Sequence, residues 1–261
     1  MGLQSSNGIN KLTQLLPEGV AAPAAWLAAN GYSRQLMRKY VLSGWFVSLG
    51  HGAYARAGQP VRWEGVLLGL QRLGGVPCHV AGLSALNRQG AAHFLPLGGE
   101  PHIRVMIVRR PPAWVQAVEL NPALLFDNRR LFADEAAQTG IVPLATGIRD
   151  WALPMAALER AIMEMLNDVS DNENFAHAVQ VFEGLTVLRP AVINSLLAAC
   201  RSIKVKRLFL FLAHHFDYPW AKRLDTARLN LGSGNRQIVK GGRLDKQFLI
   251  TVPERFSAEA L

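Results

Sequence analysis

The sequence feature that most constrains the fold is a tight connection, Asn30-Gly31-Tyr32-Ser33, between two short helical segments. Gly31 is suited to the left-handed backbone conformation that ends a helix. Ser33 is a favoured N-cap residue for the helix that follows it. The pattern predicts helices over residues 24–30 and 34–42, joined in the way that is typical of a helix-turn-helix.

A further helix precedes this unit, and a hairpin is predicted after it. The apolar positions of the first helix, before Pro17, are Ile9, Leu12, Leu15 and Leu16. Two β-prone runs, residues 45–49 and 53–56, flank the tip Gly50-His51-Gly52, which predicts a hairpin in the position of a wing. Residues 1–60 are therefore predicted to form a winged helix-turn-helix domain that binds DNA.

The predicted third helix separates its apolar residues from its basic ones. The residues expected to pack inward are Leu36, Met37, Tyr40 and Val41. The opposite side carries long polar side chains and no acid: Arg34, Gln35, Arg38 and Lys39. Arginine can bond guanine edges bidentately and glutamine can do so with adenine, and the first turns of a recognition helix reach the bases. We expect Arg34, Gln35 and Arg38 to read bases and Lys39 to bind a phosphate.

Three more residues complete the predicted DNA-binding surface. Ser33 caps the third helix, His51 lies at the tip of the wing, and Arg56 lies on its return strand. His51 and Arg56 are expected to touch the DNA backbone or the minor groove. The alternative is a plain core of three short helices with an ordinary solvated surface and a histidine in a turn. The hairpin and the one-sided charge favour DNA binding.

The charge of the whole chain agrees with a polyanionic partner. Lys and Arg total 28 against 19 Asp and Glu, a formal charge of +9. Such a balance favours nucleic acid over a membrane surface. The excess lies at the two ends, and the C-terminal basic residues are Lys204, Lys206, Arg207, Lys222, Arg223, Arg228, Arg236, Lys240, Arg243 and Lys246. This predicted basic patch could extend the DNA contact through phosphates, bind RNA, or meet an acidic protein.

Residues 61–261 predict a larger mixed α/β domain, so the expected fold class is α+β, with the winged helix first. Helices are predicted over 63–74, 81–89 and several segments after 155. Short strands are predicted at 103–108, 124–126 and 131–132, and a two-strand ribbon at 237–239 and 248–252. The boundary between the domains is soft, within residues 57–80, and is placed at residue 60.

The sequence indicates neither an enzyme nor a metal or cofactor site. Cys78, His79, His93 and His102 fit no usual zinc spacing. Gly232-Ser233-Gly234-Asn235 lacks the lysine and the strand-to-helix context of a phosphate loop, so a plain turn is the better interpretation. A nucleophile elbow is not present either. We expect a regulatory protein with no catalytic residue, no metal and no cofactor.

Two cysteines cannot build a disulfide framework, which suits a reducing compartment. The first residues lack the charged and apolar regions of a secretion signal. The longest stretch free of charged residues, 40–55, is too short and too glycine-rich to span a membrane. A soluble, cytoplasmic protein with no membrane partner is expected.

Several motifs across the chain together carry a family resemblance. They are Gly31-Tyr32-Ser33-Arg34-Gln35-Leu36, Leu49-Gly50-His51-Gly52-Ala53-Tyr54, Lys204-Val205-Lys206-Arg207-Leu208-Phe209, Leu231-Gly232-Ser233-Gly234 and Gly241-Gly242-Arg243-Leu244-Asp245-Lys246. This set spans nearly the whole chain and resembles the AbiEi-type antitoxins, the transcriptional regulators of bacterial type IV toxin–antitoxin (abortive infection) pairs.

The resemblance implies more than the residues show by themselves. It implies an autorepressor that binds inverted repeats at its own promoter through the winged helix, with Arg34, Gln35, Arg38 and Lys39 reading DNA beside the 50–52 wing. It implies a C-terminal domain that counteracts a nucleotidyltransferase toxin without a stable toxin complex. It supplies no catalytic residue.

Two other functions stay open from the sequence. One is a winged-helix transcription factor that senses a small ligand, which a metabolic operon neighbour would favour. The other is an RNA-binding or nuclease-like enzyme that uses the C-terminal basic surface, which the sequence disfavours because no carboxylate cluster stands out.

Overall fold

A computed structural model of the chain describes residues 3–50, 52–91 and 102–256. The chain divides into two compact units. The first comprises Met1–Val80, Glu100–Asn128 and Pro143–Pro154. The second comprises Ala81–Gly99, Arg129–Val142 and Met155–Leu261. Each unit draws on separate stretches of the chain, so neither is a simple N- or C-terminal piece.

The first unit begins with a winged helix-turn-helix, as the sequence predicts. Its elements are α1 Leu3–Leu15, β1 Ala22–Pro23, α2 Ala24–Ala29, α3 Arg34–Leu42, β2 Phe46–Ser48 and β3 Ala53–Arg56. The strands form a sheet in the order β1-β3-β2, and both pairings are antiparallel. Strands β2 and β3 are the wing that follows the third helix.

The turn between α2 and α3 has the predicted chemistry. Gly31 has a φ of 88°, in the left-handed region that glycine adopts without steric cost. The Ser33 hydroxyl accepts a hydrogen bond of 3.2 Å from the Leu36 backbone N–H, which caps α3. The Tyr32 hydroxyl donates to the Gly8 carbonyl at 3.1 Å and so ties this turn to α1.

Helix α4, Trp63–Leu68, packs directly on the backbone that precedes β1. A Cβ atom at Gly65 would lie 1.6 Å from the Gly19 carbonyl oxygen, and one at Gly69 would lie 1.8 Å from that of Ala21. The Ala21 N–H donates to the Gly65 carbonyl at 3.2 Å. Glycines four residues apart share one helix face, so the two together allow backbone to touch backbone. The predicted helix over 63–74 continues beyond α4 as a π-helical turn, Gly69–Leu73.

A five-stranded sheet follows, with strands in the order β6-β5-β4-β8-β7. The strands are β4 Cys78–Val80, β5 His102–Ile107, β6 Ala123–Asp127, β7 Ile141–Ala145 and β8 Ala152–Ala156. Strand β5 pairs antiparallel with β4 and parallel with β6, and α6 (Ala113–Gln116) lies between β5 and β6 in the chain. The sequence predicts β5 and β6 and misses β4, β7 and β8. The predicted strand at 131–132 is wrong, because Phe132 makes only an isolated bridge, to Cys200.

The second unit is mostly helical. Its helices are α5 Gly82–Arg88, α7 Leu158–Leu166, α8 Asn172–Glu183, α9 Pro190–Ala199 and α10 Ile203–Phe216. Phe182 packs with Phe209 and Trp220, at ring-centroid distances of 5.5 and 6.0 Å. These aromatic contacts join α8 to α10 and to the turn after it, so α10 is a central helix of this unit.

The C-terminal strands pair differently from the predicted ribbon. They are β9 Arg236–Gln237, β10 Arg243–Asp245 and β11 Ile250–Val252, in the order β10-β11-β9. Strand β11 pairs antiparallel with β10 but parallel with β9. The prediction of a two-strand ribbon is therefore wrong, because parallel neighbours need a connection longer than a tight turn, and β10 lies in that connection.

Helix α7 buries charged side chains, each with a partner. Glu164 accepts hydrogen bonds from Arg160 Nε at 2.9 Å and from the Gly82 N–H at 3.1 Å. Glu159 accepts from Arg189 Nε at 2.9 Å and Nη2 at 2.8 Å. Burial by itself would raise the pKa of Glu159, but the hydrogen bonds from Arg189 outweigh it and hold that pKa below its usual value.

Within the described ranges 3–50, 52–91 and 102–256, the helices are all too short or too polar to cross a lipid bilayer.

The contact between α4 and residues 19–21 predicts a strong effect of one methyl group. Gly65→Ala should lower the free energy of unfolding by about 2 kcal/mol or more, because a Cβ atom cannot share space with the Gly19 carbonyl and the backbone must move. Chemical denaturation of the full chain measures this loss. Gly8→Ala in α1 is the matched control, since its Cβ would meet only the Tyr40 hydroxyl, at 3.2 Å. A change at Gly65 no larger than the control's, about 1 kcal/mol or less, would contradict the packing described.

Candidate nucleic-acid interface

Helix α3 presents its four long polar side chains to solvent. Its buried residues are Met37 and Tyr40, at 1% and 4% exposure. The exposed residues are Arg34, Gln35, Arg38 and Lys39. The segment is helical over Arg34–Leu42 and contains no acidic residue. The predicted helix and the predicted exposure of its basic side are confirmed, and contact with DNA stays a prediction.

The turn after α3 fixes the angle between this helix and the wing. The Ser43 hydroxyl donates to the Lys39 carbonyl at 2.9 Å, and the Trp45 N–H donates to the Tyr40 carbonyl at 3.0 Å. The Tyr40 ring stacks on Phe46, the first residue of β2, with ring centroids 6.0 Å apart. Because both ends of α3 are capped and its inner face is packed, the basic face has a defined orientation.

The wing is built as predicted, with one residue outside the described part. Its tip glycines, Gly50 and Gly52, have φ values of 81° and 87°. The Ala53 N–H donates to the Gly50 carbonyl at 3.1 Å, which closes the hairpin. His51, which the sequence analysis places among the DNA contacts, lies outside the described residues.

Three exposed apolar side chains beside the basic face have no role in the sequence analysis. They are Leu42, Trp45 and Val47, at 79%, 57% and 43% exposure. The alternation around Phe46, which is buried between two outward-facing residues, is the signal that could have found Trp45 and Val47. Apolar side chains at such a surface can contact thymine methyl groups.

The predicted DNA contact of Arg56 needs correction. Its guanidinium pairs with Glu18 Oε1 at 3.1 Å and donates to the Thr13 and Leu16 carbonyls at 3.3 and 3.5 Å. Only 25% of the side chain is exposed. Arg56 therefore ties the return strand of the wing to the end of α1, and its bonding capacity is largely used inside the protein.

The C-terminal basic patch is smaller than the sequence predicts. Lys206 and Arg207 are 6% and 2% exposed, so their assignment to a basic surface is wrong. Arg207 donates to the carbonyls of Leu231 (2.8 Å), Gly232 (3.1 Å), Gly234 (2.6 Å) and Leu249 (3.1 Å). Lys206 Nζ donates to the Asn230 carbonyl at 3.2 Å. These two side chains hold the 230–234 loop in place, which also explains why Gly232-Ser233-Gly234-Asn235 is a turn.

Burial and neighbouring charge perturb these basic groups. Burial lowers the pKa of Arg207, and the nearby charge of Arg236 lowers it further. Lys204 is half-buried, and its Nζ donates to the carbonyls of Asn167 and Val169, both at 2.8 Å, just beyond the end of α7. Burial also lowers the pKa of Lys204. Of the ten residues assigned to the patch, those the structure leaves exposed are Lys222, Arg223, Arg228, Arg236, Lys240, Arg243 and Lys246.

The cysteines have the properties of core residues. Cys78 and Cys200 are 7% and 3% exposed, and burial raises the pKa of Cys78 to about 12. A thiol in that state is a poor nucleophile and a poor metal ligand. In the part of the chain that the structure describes, no three His, Cys, Asp or Glu side chains are grouped as a metal site would need. His93, one of the residues weighed for such a site, lies outside it.

Comparison with known families decides what kind of protein carries this surface. A model described as the N-terminal domain of the AbiEi antitoxin, a transcriptional regulator, matches residues 5–97. A second model, described as transcriptional regulator, AbiEi antitoxin, type IV toxin–antitoxin system, matches residues 102–253. The chain belongs to the AbiEi family. The resemblance seen in the sequence motifs is confirmed.

The AbiEi family is a family of transcriptional regulators and antitoxins. The crystal structure of the RV2827C protein from Mycobacterium tuberculosis shares its fold, with a TM-score of 0.57 and 14% sequence identity. That likeness covers 97% of this chain and 92% of the other. No curated protein matches the chain. The predicted domain boundary at residue 60 stays a prediction.

The buried position of Arg207 predicts a structural effect for its substitution. Arg207→Gln should lower the free energy of unfolding by about 3 kcal/mol or more, because several carbonyls lose their donor. Chemical denaturation measures it. Lys240→Gln, at an exposed position, is the charge-matched control and should change stability by no more than about 0.5 kcal/mol. If Arg207→Gln were as stable as the wild type and bound DNA more weakly, Arg207 would be a surface contact to DNA and its structural role would be refuted.

Proposed function

We propose that this AbiEi-family protein is a sequence-specific, DNA-binding repressor of its own operon and the antitoxin of a nucleotidyltransferase toxin. The observation that carries the first part is the exposed, acid-free basic face of α3 beside a wing. The family match supports the second part. The protein would act in the cytoplasm, where its promoter lies.

The proposed DNA contacts follow from the position of each side chain on α3. Arg34, Gln35 and Arg38 occupy the first turns of the helix, the part that a recognition helix directs at base edges. Lys39 lies next to Arg38 on the exposed side and suits a phosphate. The cap at Ser33 orders the backbone of the first turn before DNA arrives, which reduces the entropy lost on binding.

The wing and the second unit would contribute less specific contacts. The tip of the hairpin, residues 50–52, would lie along the DNA backbone or in the minor groove. The exposed C-terminal cations Arg236, Lys240, Arg243 and Lys246 are candidates for phosphate contact or for the antitoxin activity. Two copies on inverted repeats would place two α3 helices in successive major grooves, with a half-site spacing near one helical turn or a multiple of it.

Substitution of Arg38 tests the repressor proposal. Footprinting on the DNA upstream of the gene first defines the site. Arg38→Ala should then weaken binding to that site by about 1–3 kcal/mol, because a bidentate base contact is lost. Lys39→Ala should weaken binding to all sequences alike and reduce the salt slope by about 1. Mobility shifts across a salt series measure both effects.

Arg130→Ala is the matched control for this experiment. Arg130 is exposed, and its side chain pairs with Asp134 at 3.4 Å. Because it is also an arginine, its replacement by alanine changes the net charge by the same amount as Arg38→Ala. It should leave both the affinity and the salt slope close to those of the wild type. Equal losses for Arg38→Ala and Arg130→Ala would show that net charge alone is responsible and would refute the α3 interface.

Co-expression tests the antitoxin proposal. The chain, expressed from an unrelated promoter, should restore growth to cells that express the nucleotidyltransferase encoded beside it. Arg38→Ala should restore growth equally well, because the counteracting activity is assigned to the C-terminal part. A neighbouring gene product that is harmless, or toxicity that the folded wild-type chain does not relieve, would overturn this part of the proposal.

A further inference from the structure

A polar cleft of about 580 Å³ lies in the first unit, away from the exposed face of α3. It is formed by the end of α1, the start of α4 and the connection between β7 and β8. Its volume falls in the range of small-molecule sites. Its charged lining residues are Glu18, Arg56, Arg62, Glu64 and Arg149.

The charges that line this cleft do not balance. Three arginines face two glutamates, which leaves an excess of one positive charge. Arg56 and Glu18 already pair with each other at 3.1 Å. The side chain of Arg62 is 76% exposed, and Arg149 is also exposed. These last two guanidinium groups are therefore accessible to a ligand, and the excess charge calls for an anionic one.

Glu64 brings a second requirement to the same cleft. Its Oε2 atom is buried and has no hydrogen-bond partner among the residues that the structure describes. The Nε atom of Arg62 forms an ion pair with it at 3.8 Å, a distance too long for a hydrogen bond. A buried carboxylate oxygen without a donor is costly, so a ligand that supplies an N–H donor would be stabilised there.

The backbone at Arg149 is held in an unusual conformation at the cleft. Its φ of 51° lies in the left-handed region that residues other than glycine seldom adopt. One of its guanidinium nitrogens, Nη2, donates to the Gln14 carbonyl at 2.8 Å, which anchors the side chain beside α1. Strained backbone of this kind is concentrated at ligand-binding sites.

We propose that this cleft binds a small acidic zwitterion, an amino compound with a net negative charge. Its ammonium group would donate to Glu64 Oε2, and its carboxylate or phosphate group would bind Arg62 and Arg149. Pro60 and Ile148 provide an apolar wall for the carbon skeleton between the two ends. An acidic amino acid such as glutamate has a net charge of −1, which balances the excess positive charge of the lining.

The same cleft is connected to the wing. Arg56 belongs to β3, and it joins that strand to Glu18 and to the end of α1. A ligand that interacts with Arg56 or Glu18 would weaken the ion pair between them. We therefore expect ligand binding in the cleft to change the affinity of the protein for operator DNA. This consequence rests on the proposed function, whereas binding of the ligand does not.

Thermal unfolding with L-glutamate and with O-phospho-L-serine tests the site, and the two probes distinguish a carboxylate ligand from a phosphate ligand. At least one probe should raise the melting temperature of the full chain in a saturable way. Glutarate, which lacks the ammonium group, should bind at least about tenfold more weakly than L-glutamate. No shift with either probe, or a glutarate affinity equal to that of an L-glutamate that binds, would overturn the proposal.

Two variants locate the binding. Arg62→Gln and Glu64→Gln should each lower the affinity for the better-binding probe about tenfold or more. Arg62 is largely exposed, so its variant keeps the test valid even if Glu64→Gln folds poorly. Arg110→Gln removes an exposed arginine from the same unit, outside the cleft, and should bind the probe like the wild type. Unchanged binding by both cleft variants would overturn the proposal.

Operator binding at a saturating probe concentration tests the coupling to the wing. The apparent Kd should change at least about threefold, and it should not change for Arg62→Gln. An unchanged Kd beside a clear thermal shift would refute the coupling and leave the ligand site. A wild-type chain that binds no operator would refute the proposed function, while the thermal shift would still decide whether the ligand site exists.

Discussion

The direct packing of helix α4 on the backbone of residues 19–21 is the constraint on which the first unit depends. Two glycines, Gly65 and Gly69, leave room for the carbonyls of Gly19 and Ala21 at distances that any Cβ atom would prohibit. Residues 19–21 lead into β1, which pairs with the return strand of the wing. The contact thus sets where the wing sheet begins, and it brings Glu64 of α4 into the cleft beside Glu18.

Arginine has two physical roles in this protein, and burial separates them. On α3, Arg34 and Arg38 are exposed and accessible to a polyanion. On α7 and α10, Arg160 and Arg207 are buried, and their guanidinium N–H groups bond carbonyl oxygens and, for Arg160, the Glu164 carboxylate. A buried guanidinium is tolerated only when its donors are satisfied, so these arginines organise loops. Net charge counted along a sequence therefore overstates the charge that a partner meets.

Features set by neighbouring residues could be predicted from the sequence, and those set by distant contacts could not. Gly31 and Ser33 fix the turn before α3 through local conformation and one short-range hydrogen bond. Strands β7 and β8 were missed because Pro143 and Pro154 interrupt their β-prone pattern, and pairing within the sheet stabilises them nonetheless. The buried guanidinium of Arg207 bonds to carbonyls 24 to 42 residues further along the chain. No local sequence pattern predicts that contact.

The sequence by itself determined the winged helix and the outward basic face of α3, because helix caps, glycine turns and the 3.6-residue period act over short distances. Its motifs, taken together, also carried the resemblance to the AbiEi family that the family matches confirm. The tertiary structure alone decided that Arg56, Lys206 and Arg207 lie inside the protein's own bonding network. It also decided that Glu64 and Arg149, far apart in the chain, line one cleft. The physical reason is that burial and charge pairing are properties of the packed chain, since they depend on which distant groups displace water from a side chain.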